Sequence, residues 1–159
     1  MKFLYGVEAN YIVEDVPEFM DFIKKETELF DFQRSIFLFE NDSDAELAKN
    51  LLIESNLIEG SSLLYYITNG EKGESFDDFG LESAKGFYLY PEMLCAFFIT
   101  RGDAEDIQMA KYQFHEHLVF TAKDDDIGLI YFSELHLKDL INGIAEAYDI
   151  EVSFLDLDK

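Results

Sequence analysis

Apolar and polar positions change period repeatedly along the chain, and each change marks an element. Phe3 to Val13 is rich in Tyr, Val and Ile and reads as a strand. Asp15 then stands as an N-cap with Pro17 in the first helical turn, where a missing N–H costs little. Val16, Phe19, Met20, Ile23, Thr27 and Phe30 recur at helical spacing, which predicts a helix running to Phe30. The short apolar run Ile36-Phe37-Leu38-Phe39 reads as a buried strand, broken by Asn41-Asp42-Ser43-Asp44. Ser43 and Glu46 form a capping-box pattern, and Leu47, Ala48, Leu51 and Leu52 share one face of a second helix ending near Asn56.

Leu63 to Thr68 predicts a third strand, closed by Asn69-Gly70. Asn-Gly signals a hairpin when a strand follows at once, but Glu71 to Asp78 is polar, so the turn is read as opening a long loop. Lys85–Tyr90 is read as a strand; Glu92–Thr100 suits either a buried strand or a short helix, with a strand favoured for Cys95–Thr100, and Asp103 is read as the cap of a helix over Ala104–Phe114. Leu118–Ala122 and Ile127–Phe132 form two strands joined by the acidic turn Lys123-Asp124-Asp125-Asp126. Ser133 is expected to cap a helix through Tyr148, with Leu137, Leu140, Ile141, Ile144 and Tyr148 on one face. Ile150, Val152 and Phe154 alternate as a closing strand. Elements mixed in this order predict an α+β fold: a mostly antiparallel mixed sheet of about six strands with three to four helices packed on it.

The chain has 159 residues and shows no repeat, Pro-rich linker or low-complexity block, so residues 1–159 are expected to form a single globular domain. Sixteen Phe and nine Tyr supply large surfaces to bury, which argues against disorder.

Charge changes the picture more than any motif. Thirty-four Asp and Glu face twelve Lys and Arg, a formal net charge of −22. Residues 1–80 carry −12 and residues 81–159 carry −10, so the excess belongs to the folded body rather than to a tail. Solubility needs far less, a magnitude of about 2–8 for a small domain, and self-repulsion opposes compactness. A surface that captures a cationic partner explains the excess; neutral drift and salt adaptation compete with it. Salt adaptation fits poorly with so many aromatics and with Lys as the main base. Direct nucleic-acid binding is disfavoured, because phosphate contacts need a basic patch.

Candidate chemistry is sparse. His115-Glu116-His117 is the one metal-like cluster; on a strand its two imidazoles would share a face, yet no HExxH or paired cysteines accompany it. Starting a calcium loop at Asp124 puts Gly128 at the fifth position and Leu135 at the twelfth, so the EF-hand pattern fails. Cys95 lies in the apolar run Met93–Ile99 and reads as an inert buried thiol. GxSxG, GxGxxG and Walker A sequences are absent, so no enzyme and no cofactor or metal is expected. The N-terminus turns acidic too soon for a secretory signal, and the cytoplasm is the expected compartment.

Size and acidity together resemble the bacterial immunity proteins, which neutralise a basic nuclease toxin by covering its active site. That resemblance is of type alone. It implies an antitoxin-like inhibitor of a basic protein, a toxin or a nucleic-acid-binding protein, with a nucleic-acid mimic as a close variant. A generic regulatory or scaffolding domain with incidental acidity is the alternative. The expected partner contacts are Asp77 and Asp78 with the flanking Phe76 and Phe79, the helix start Asp103, Glu105 and Asp106, and the turn Asp124, Asp125 and Asp126. Phe76 and Phe79 have a second reading, as anchors fastening a polar loop to the core.

Overall fold

The computed structural model describes residues 1–157, which carry five α-helices and two antiparallel sheets of six and five strands, an α+β fold. The described residues divide into two compact units, Met1–Tyr66 with Glu82–Tyr88, and Ile67–Leu81 with the residues from Leu89 onward.

The first unit begins with β1 (Lys2–Ala9), a 3-10 turn at Tyr11–Asp15 and α1 (Pro17–Glu26). The strand β2 (Leu29–Gln33) follows, then β3 (Ile36–Phe39), α2 (Asp42–Glu54) and β4 (Ile58–Ile67). The first strand therefore stops short of Val13, which instead sits fully buried in the 3-10 turn. The helix expected to reach Phe30 ends at Glu26. Thr27 turns extended there, and its hydroxyl donates to the Ile23 carbonyl, closing the last turn. Asn41, two residues earlier than Ser43, caps α2, its side chain accepting the Asp44 N–H at 2.8 Å. Val7, Phe37 and Phe39 of the sheet pack with Ile23, Ala48 and Leu52 of the helices into one core.

Next along the chain come β5 (Gly70–Lys72), the single-turn α3 (Phe76–Phe79), β6 (Gly80–Ser83) and β7 (Gly86–Leu89). The stretch read as a long loop thus contains a short strand and a helical turn.

The second unit continues with β8 (Leu94–Arg101), α4 (Ala104–His115), β9 (Leu118–Asp124), β10 (Gly128–Glu134), α5 (Lys138–Ala147) and β11 (Glu151–Leu155). Ser133 does not cap α5. It lies fully buried at the end of β10, where its hydroxyl donates to the His117 carbonyl at 2.7 Å. Phe97, Phe114, Tyr131, Ile141 and Ile150 form this unit's core.

The sheet orders reveal a repeat of topology. One sheet runs β2-β3-β1-β4-β7-β6 and the other β11-β8-β10-β9-β5. Taking β1–β4 and β8–β11 alone, each half is β-α-β-β-α-β with its first strand between its third and fourth, the ferredoxin-like or split β-α-β arrangement. The two halves share a path of the chain, not a residue pattern.

Candidate functional site

Strand register decides which expected contacts meet. Tyr131 pairs with Phe97, so the C-terminal end of β8 and the start of β10 lie at the same end of the second sheet. The β9–β10 turn closes there, Asp124 opposite Gly128. The first turn of α4 follows β8 by two residues, and β11 opens with Glu151 opposite Arg101. Asp103, Glu105 and Asp106 therefore share one end with Asp124, Asp125 and Asp126. Strands β8, β10 and β9 are neighbours in that order, so the two clusters emerge from adjacent strands of the sheet.

Within each cluster the acids differ in what they do for the fold. Asp124 Oδ1 accepts the backbone N–H groups of Asp126 and Ile127, both at 2.9 Å. Those two bonds hold its carboxyl below the usual range. Glu105 and Asp106 occupy the first turn of α4, where the helix dipole favours negative charge. Asp125, Asp126, Asp103 and Glu105 are exposed, and Asp106 is half-buried. Among the described bases of the second unit, Arg101 and Lys123 stand at this end, and Arg101 is engaged with Glu151 at 2.7 Å.

Asp77 and Asp78 lie elsewhere. Strand β5 pairs antiparallel with β9, Gly70 opposite Ala122 and Lys72 opposite Phe120, so the chain beyond Lys72 runs toward the start of β9. The Gly73 N–H donates to the Val119 carbonyl at 2.8 Å and fixes that direction. Both aspartates are exposed on α3, at the end opposite the other two clusters. Phe76 between them and the core is 1% exposed, its ring centroid 5.7 Å from that of Phe120. Its expected role as a surface contact is corrected: the ring is an anchor. Phe79 is half-buried, and its carbonyl accepts the Tyr90 N–H.

The histidines do not fall on a strand. His115 ends α4, Glu116 caps it, and the His117 N–H donates to the Phe114 carbonyl. With Glu71, Glu74 and Glu134 they line a cleft of about 470 Å³. Among the described residues no group of three His, Cys, Asp or Glu is placed to hold a metal ion. Cys95 is buried, and burial pushes its thiol up from the ordinary value.

Two residues that the sequence reading did not single out stand on α4: Met109 and Tyr112 are 48% and 65% exposed. The signal was present, since both fall opposite Phe114 when the helix is drawn at 100° per residue.

No protein-family model, curated protein or solved structure gives a significant match to the chain. Among the described residues no helix is long and apolar enough to cross a membrane.

Proposed function

We propose that this chain is an acidic inhibitor of a basic protein, of the antitoxin or immunity type, acting in the cytoplasm by covering its target's active site rather than by catalysis. One observation supports the reading above the rest. Two acidic clusters separated by a helix and a strand emerge at one end of the second sheet, beside Arg101 and Lys123 of the same unit. Nuclease sites are basic because they hold phosphates, so a carboxylate-bearing end is their chemical complement. A nucleic-acid mimic uses the same chemistry against a nucleic-acid-binding target.

A regulatory or scaffolding domain is favoured by a different observation: carboxylates also stand at the opposite end, at Glu74, Asp77 and Asp78. Capture from the lysate of the source cells at low salt, eluted with rising NaCl, separates the two. The inhibitor reading expects one stoichiometric basic protein, released as salt rises, whose activity is abolished when the purified chain is added back. Retention of nothing specific from a lysate that expresses basic toxins or nucleases, or a partner whose activity survives saturation, favours the regulatory domain.

A further inference from the structure

The solvent face of α4 carries side chains that the core does not require. At 100° per residue, Glu105, Met109, Tyr112 and Glu116 form one stripe, and Ala110 and Phe114 lie on the opposite side. Ala110 and Phe114 are fully buried and Ile107 packs with them, so the inward face is already filled. Met109 and Tyr112, three residues apart and therefore adjacent on the surface, stand in solvent between two exposed carboxylates. A single exposed apolar residue is ordinary. An adjacent Met and Tyr flanked by acids has instead the composition of an interface centre, where Tyr and Met are enriched and charge is pushed to the rim.

We infer that this stripe is the docking surface for an arginine-bearing face of a basic protein, an assignment that rests on the acidic-inhibitor reading. Arginine fits because its planar guanidinium stacks on an aromatic ring and pairs with a carboxylate through the edge it leaves free. Tyr112 offers the ring, with Glu116 one turn beyond it and Glu105 two turns before. Charge complementarity selects this occupant. A second copy would set Glu105 and Glu116 against like charges, and an anionic membrane would meet a chain of −22.

The test is an amide-resolved NMR titration of the chain at low salt with octa-arginine, and with octa-lysine of equal charge. The expected shifts centre on residues 105–116, with octa-arginine binding about threefold to fivefold more tightly than octa-lysine. Tyr112→Ala removes that preference and Tyr112→Phe keeps it; the amide spectrum itself reports that each variant is folded. Shifts centred on Asp124–Asp126 or on the His115–His117 cleft overturn the assignment to α4 and leave the acidic-binder reading standing, as does a preference that survives Tyr112→Ala. Absence of binding by either peptide removes both readings. A concentration-dependent dimer abolished by Tyr112→Ala gives the stripe to a second copy and overturns the proposal.

Discussion

The Asp124 carboxylate accepts the backbone N–H of Ile127 at 2.9 Å, so the acidic β9–β10 turn is fastened by one of its own acids. The same oxygen takes the Asp126 N–H, and the two bonds lower the Asp124 pKa. A carboxyl whose folded pKa lies below its unfolded value stabilises the fold fully above the unfolded value. That contribution is lost as pH falls through the folded one. Carbon NMR titration is expected to place the Asp124 midpoint below 3.8, the model-compound value. Hydrogen exchange at Asp126 and Ile127 is expected to accelerate in Asp124→Ala, whereas Asp124→Asn, which keeps the acceptor, leaves it nearly unchanged.

In the first unit the Tyr88 hydroxyl donates to Asp31 Oδ2, and the Ser83 hydroxyl donates to the same oxygen at 2.6 Å. Burial first, and then this bond to Asp31, pushes the Tyr88 hydroxyl well above the ordinary tyrosine range. Stability from this group is therefore complete below its unfolded pKa near 10 and is lost as pH rises through its folded value. Spectrophotometric titration is expected to leave Tyr88 protonated until alkaline unfolding. Tyr88→Phe is expected to cost about 1–3 kcal/mol in urea denaturation, since a charged acceptor loses a donor.

Gly73, just beyond β5, lies tight against the start of β9. A methyl group there would lie 2.0 Å from the Leu118 carbonyl oxygen, a backbone atom that cannot swing aside. Gly73→Ala is expected to destabilise the chain by about 1–3 kcal/mol and to expose the amides of residues 70–72 to exchange.

Replacing Asp125 and Asp126 with Lys tests the proposed end directly. Against a purified partner the double variant is expected to associate more slowly and with a shallower salt dependence, its dissociation little altered. The matching Asp77→Lys, Asp78→Lys variant, changed at the opposite end, is expected to behave nearly as the unaltered chain. The reverse pattern moves the contact to α3.

Self-repulsion sets a further expectation for the free protein. With a net charge of −22, raising NaCl from about 0.01 to about 0.5 M shortens the Debye length from roughly 30 Å to a few ångströms. The urea midpoint is expected to rise across that range, even with no partner present.

Much of this architecture was legible where burial imposes a period. The runs at Ile36–Phe39, Cys95–Thr100 and Ile127–Phe132 became strands, and Asp103 marked the start of α4. Phe30 misled because it stands in phase with the stripe of α1, yet it belongs to β2, a strand at a sheet edge with every residue half-buried. Such an edge shows no alternation to read. Ser133 looked like a cap because hydroxyls favour helix starts, but a hydroxyl can equally satisfy a distant carbonyl, here that of His117. The repeated path of the two halves left no trace in residue pattern, since topology is a matter of which strands pair. For the same reason the acidic turn could be seen in the sequence, while its shared end with Asp103 needed the register of β8 and β10.

The edge strand β5 has a consequence for how the molecule is made. Residues 70–72 leave the ribosome well before Phe120, Thr121 and Ala122, the residues they will pair with. Throughout that interval their backbone has no ladder to join, and the intervening chain must be synthesised before the second sheet can close on this side. A pause or a truncation between Lys72 and Val119 therefore leaves residues 70–72 without the strand they pair with.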